Sequence, residues 1–178
     1  MNSKYKFGLT EVVAMIAGSI VVVLLELVFK NLNISYSDVA KAIILVCVSA
    51  IFGYSSGLVV AIASTLLTAA ILGTGVNPIV IFAFAIVAFS IGYYAPRFGI
   101  RDGMFDKKLW LDFVAVKLMA EIVAWLFLTP LFEFMISRND LFGMLRFYFM
   151  RVIMLTITDV VILPILIIVN KEYGRKNI

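Results

Sequence analysis

The chain has no histidine, one cysteine and few charges. Without histidine it lacks the commonest general base and the commonest metal ligand. Cys47 has no partner for an intrachain disulfide, so cysteine usage says nothing about redox compartment. No G-x-x-x-x-G-K-[ST] loop is present, which excludes ATP hydrolysis by that route. Paired carboxylates at metal-binding spacing are missing too. These absences argue against an enzyme, name no catalytic residue and imply no metal or cofactor. No linker or composition shift marks a second domain, and the only polar segment of any size is RFGIRDGMFDKK, residues 97–108.

Apolar residues are what the chain has in abundance: 63% of 178 residues are hydrophobic and 15% charged, with mean hydropathy +1.10. Such a composition reads as an all-α integral membrane protein. A spanning helix needs about 20 apolar residues, because the hydrocarbon core is roughly 30 Å thick and each residue rises about 1.5 Å. Six runs fit a single transmembrane domain over 1–178, near 9–29, 38–53, 56–73, 78–95, 109–136 and 142–169. The second and third are separated only by Gly53-Tyr54-Ser55-Ser56-Gly57, which predicts a tight helical hairpin. The third ends in Gly73-Thr74-Gly75-Val76-Asn77-Pro78, a helix stop followed by a turn.

Lys and Arg accumulate in short cytoplasmic loops. With the N-terminus inside, the cytoplasmic set is Lys4, Lys6, Arg97, Arg101, Lys107, Lys108, Lys171, Arg175 and Lys176, nine in all; the opposite side holds four, Lys30, Lys41, Arg138 and Arg146. This asymmetry predicts that both termini are cytoplasmic. It also accounts for most of the net charge of +4 without a nucleic-acid partner. Tyr93, Tyr94 and Trp110 on one side, and Tyr36, Tyr148 and Phe149 on the other, suit interfacial belts. The first run is too long for a signal peptide and no small-residue cleavage site follows it, so it reads as a permanent helix.

Ionisable and polar residues inside the runs are the informative exceptions: Glu26, Lys117, Glu121, Arg151, Thr156, Thr158 and Asp159. Charges at the bilayer centre cost roughly 2.5–3.5 kcal/mol each, so they normally face the bundle interior in pairs or line a cavity. Lys117 and Glu121 are spaced i,i+4 on one helix face. Counting residues from opposite ends puts Glu121 and Asp159 at similar depth, so Lys117 can neutralise Glu121, and Asp159 if the last two helices pack. The trio is either a structural ion pair or a direct participant in ligand binding. Arg151 and Thr158, seven apart, share a face opening toward the outer half; Arg151 either snorkels to the surface or binds an anion or ring edge. Trp125, one turn above Glu121, is either packing or one wall of a site for a flat polar heterocycle. In the first helix Ala14 and Gly18 form a small-xxx-small pair that lets another helix approach closely, in this chain or in a partner.

The loop RFGIRDGMFDKK, followed by Ala124-Trp125, Thr129-Pro130 and Glu133, resembles the substrate-binding subunits, or S-components, of energy-coupling-factor (ECF) vitamin transporters, particularly the riboflavin-type group. The resemblance is best over residues 86–133 and weaker in the last helix and the small residues of the first. It implies six helices with both termini inside, a vitamin bound in the extracellular half, and a bacterial plasma-membrane location. It also implies docking on a membrane coupling subunit driven by two cytoplasmic ATPase subunits, which make up an ABC transporter complex. Under it, Trp125, Glu121, Arg151, Asp159, Thr158, Lys117 and Asn77 would line the ligand site, the Gly73–Pro78 loop would form a lid, and Ala14 and Gly18 would meet the coupling subunit. The chain departs from the group where helix 3 carries only Ser64, Thr65 and Thr68, and where Lys117 and Glu121 replace amides. Riboflavin leads as the ligand, with a pyridoxine-type compound or cobalamin also compatible.

A six-helix membrane scaffold of the rod-shape-determining kind explains size and topology equally well. It does not explain a mid-membrane cluster of Lys, Glu, Asp and Trp.

Overall fold

The computed structural model describes residues 8–32, 37–137 and 140–176, and every regular element among them is helical. Lys4, Lys6, Tyr36 and Arg138, used above for topology and belts, lie outside the described residues. In chain order the elements are α1 (Leu9–Asn31), α2 (Ser37–Phe52), α3 (Tyr54–Leu72), α4 (Pro78–Phe98) and α5 (Lys107–Glu121). A π-helical segment (Ile122–Leu128), α6 (Thr129–Ser137), α7 (Leu141–Ile157) and α8 (Asp159–Lys176) follow. Four stretches are long and apolar enough to cross a membrane: Leu9–Asn31, Tyr54–Leu72, Pro78–Phe98 and Leu141–Arg175.

The remaining two expected spans take other forms. The run 38–53 is a 16-residue helix, about 24 Å long at 1.5 Å per residue. Short as it is, α2 sits at the centre of the fold, packed on α1, α3, α4, α7 and α8. The run 109–136 is one rod in the sequence reading and three joined segments in the structure. Pro130 lacks the N–H that a regular turn needs and its ring crowds the preceding carbonyls, while the Thr129 hydroxyl donates to Ala124 O at 2.7 Å, five residues back. Both effects favour the wider π turn. The run 142–169 is interrupted at Thr158, whose N–H reaches back only three residues to Leu155 O at 3.1 Å.

Helix starts follow local chemistry. The carboxylates of Asp106 and Asp140 accept the first free N–H groups of α5 and α7, and Asn77 does the same for α4 ahead of Pro78. Gly53 alone separates α2 from α3, at φ 90°, a conformation that a side chain disfavours. The expected hairpin is therefore tighter than the five-residue link suggested. Gly92 of α4 lies directly against that corner: a Cβ there would meet the Tyr54 backbone nitrogen at 2.2 Å.

Gly18 packs inside the chain. A Cβ on it would lie 3.1 Å from Val60 and 3.3 Å from Val48, and Ala14 is half-buried. Of the two alternatives for the pair, Gly18 takes the one within the chain, providing the close approach of α1 to α2 and α3. The outward stripe of α1 is Val13, Ala17, Ile20 and Leu24.

Candidate functional site

Two polar clusters lie in the helical core. The first is at mid-chain depth, where both breaks meet. Glu121 is the last residue of α5 before the π segment and Asp159 the first of α8. Lys117 Nζ sits 2.9 Å from Glu121 Oε1 and 3.1 Å from Asp159 Oδ1, and donates to Leu155 O at 2.9 Å. Of these contacts the one to Leu155 O is a hydrogen bond; the two carboxylates are ion-pair contacts, and both Glu121 oxygens and Asp159 Oδ1 are buried without a hydrogen bond. Leu155 O also accepts from the Thr158 hydroxyl, so the interruption of the helix supplies the carbonyl that completes the Lys117 shell. Lys117 is fully buried and Glu121 nearly so. The sequence spacing therefore brings the trio together as expected.

The second cluster surrounds Trp125, which is 0% exposed. The Arg151 guanidinium lies 3.8 Å from the Trp125 ring centroid and is paired with Asp38. Phe84 meets Trp125 edge-on at 5.2 Å, and Tyr148 lies nearly parallel to it at 5.9 Å. Tyr148 donates its hydroxyl to Glu133 Oε1 at 2.6 Å. On the far side of Phe84, Lys41 Nζ stands 5.0 Å over the ring, 3.6 Å from Glu26 Oε1, and donates to the Thr65 hydroxyl. Two cations thus rest on two touching aromatic rings, and each has a carboxylate from α1 or α2. A desolvated cation over an aromatic face is worth about 2 kcal/mol or more.

Several expectations change here. Arg151 does not snorkel to the surface, since its side chain is 14% exposed and turns inward to Trp125. Tyr148, assigned to an interfacial belt, is buried against Trp125, whereas Phe149 is exposed. Lys41, counted with the outside loop cations, is 2% exposed. Thr158 caps the α7 break. Asn77 caps α4 with its side-chain oxygen and is exposed. The Gly73–Pro78 loop leads into that cap.

Sequence reasoning passed over Asp38, Lys41 and Phe84. The signal for the first two was the one that singled out Lys117, an ionisable residue inside an apolar run; nothing marked Phe84 among 15 phenylalanines. Among the described residues no group of three or more His, Cys, Asp or Glu side chains could hold a metal ion. Chemically, the Trp125 cluster offers a flat aromatic surface, a planar guanidinium with Nε free of hydrogen bonds, and a partly exposed carboxylate. That set suits recognition of a planar or anionic group. No family model, curated protein or solved structure matches this chain.

Proposed function

We propose that this chain is the substrate-binding membrane subunit of an ECF-type vitamin uptake system in a bacterial plasma membrane, with six spans, both termini cytoplasmic and the Trp125 cluster as its recognition site. The observation that carries this reading is the Arg151 guanidinium on the face of Trp125 beside Asp38. A guanidinium occupies the space that a flat heterocycle would take. On binding, the heterocycle replaces it on the indole, and Arg151 and Asp38 read the ring's polar edge. Riboflavin leads as the ligand, ahead of a pyridoxine-type compound or cobalamin.

Having no phosphate-binding loop, the chain depends on a coupling subunit and two ATPase subunits for energy. With Gly18 used internally, the coupling subunit meets the outward stripe of α1 around Val13, Ala17 and Ile20. The scaffold reading has one observation in its favour: Lys41, Lys117 and Arg151 all have carboxylate partners within the chain, so none of these cations needs a ligand to neutralise it.

Calorimetry on ligand-stripped, detergent-purified protein separates the two. Riboflavin should bind well below micromolar, more than about 8 kcal/mol, and quench Trp125 fluorescence. Binding of another vitamin instead would change the substrate and keep the transporter reading. No vitamin binding, together with no co-purifying ATPase complex, would leave the scaffold.

A further inference from the structure

A lateral cleft runs between α2 and the α7–α8 pair. Its upper part, about 300 Å³, has Asp38 and Arg151 at one end. A second hollow of about 370 Å³ continues it to Thr158 and Val161. The two share Val39 and Met154, so they form one channel. Trp125 lines neither part.

The channel is polar at its head and apolar along its length. Below the Arg151–Asp38 pair its walls are Val39, Ile43, Met154, Ile157 and Val161. From Arg151 to Val161 is ten residues, or about 15 Å of helix at 1.5 Å per residue. Met154, Ile157 and Val161 are 36%, 58% and 48% exposed, so the channel opens sideways along the helices. An ion pair at the end of an apolar slot facing hydrocarbon is costly unless something polar covers it. The head offers one cation geometry in particular. A guanidinium is a planar fork that matches a carboxylate, Arg151 Nε donates to no partner among the described residues, and Asp38, its present partner, has a 41% exposed side chain. A ligand carboxylate can therefore compete with Asp38, whose side chain is already partly exposed, for the Arg151 fork.

We propose that this cleft binds a long-chain fatty acid, its carboxylate on Arg151 and its alkyl chain along Val39, Ile43, Met154 and Val161. The argument for this site does not need the vitamin reading, although both sites would use Arg151 and Asp38.

The test uses the full chain in phosphatidylcholine nanodiscs with radiolabelled oleate. One saturable site per chain is expected, with unlabelled oleate competing at least tenfold better than oleyl alcohol or phosphatidylglycerol. Val161→Trp fills the slot from an exposed position and should weaken oleate at least tenfold while riboflavin calorimetry is unchanged. Arg151→Lys keeps the charge but not the fork, and should weaken oleate severalfold. Equal competition by oleyl alcohol or phosphatidylglycerol, or oleate binding indifferent to Val161→Trp, overturns the proposal. Oleate binding without riboflavin binding would leave the cleft standing and remove the vitamin assignment.

Discussion

The first four helices and the last five elements are held together by different means. In α1–α4 the close contacts are made at glycines, Gly18 against the side chains of Val48 and Val60, Gly57 against Ser49 and Ala88, and Gly92 against the Gly53–Tyr54 backbone, with Lys41 to Glu26 and Thr65 as the polar tie. Its helices are continuous. From α5 onward the helices are interrupted at Ile122–Leu128 and at Thr158, and the ties are polar, Lys117 to two carboxylates and a carbonyl and Tyr148 to Glu133, while Arg151 to Asp38 joins this half to α2. Lipid tails are as apolar as leucine, so burial of apolar surface gives little reason for helices to associate in a membrane. Close van der Waals approach and buried hydrogen bonds are the two remaining sources of attraction, and each half relies mainly on one. Close packing leaves little room for change. Interrupted helices expose carbonyls and carry charge, which is where binding chemistry can be placed.

The comparison can be broken from either side. The largest effect is expected at Lys117. Lys117→Met leaves Glu121 and Asp159 buried without their cation and should cost about 3–5 kcal/mol in thermal unfolding. Glu121→Gln leaves the Lys117–Asp159 pair intact and should be far milder, and adding it to Lys117→Met should recover part of the loss. Equal damage from the two single changes would mean that the trio is not the tie described. Next comes Gly92→Ala in the close-packed half. Backbone cannot yield as a side chain does, so a cost of about 3 kcal/mol is expected, at the top of the range for overpacking. Gly75→Ala, with open space around it, serves as the control and should stay within about 0.5 kcal/mol. Arg151→Gln removes the cation from Trp125 and the partner of Asp38, and should cost about 2 kcal/mol with a shift in Trp125 emission. The smallest effect, about 1 kcal/mol, belongs to Thr129→Val, which deletes the hydroxyl bond to Ala124 O. A change of that size would show that Pro130, rather than Thr129, is the main cause of the π segment.

Much of this was legible in the residue order. Apolar runs gave α1, α3 and α4 nearly to their ends, because helix length in a bilayer is set by thickness and rise. The i,i+4 spacing of Lys117 and Glu121 was enough to pair them, since a helix fixes that geometry locally. Asp159 followed from counting depth along two antiparallel rods.

The interruptions and the aromatic cluster were not legible in the same way. The sequence by itself determined that the chain is helical, that its apolar stretches are long enough for a membrane, and that Lys117 has a partner one turn away, because these depend on local periodicity and composition. Only the tertiary structure decided that Gly18 faces inward, that the short α2 stands at the centre, and that Arg151 and Lys41 lie on Trp125 and Phe84. Residues 38, 84, 125 and 151 come from four separate elements. Which of them meet is fixed by how the helices pack, and no spacing along the chain encodes it.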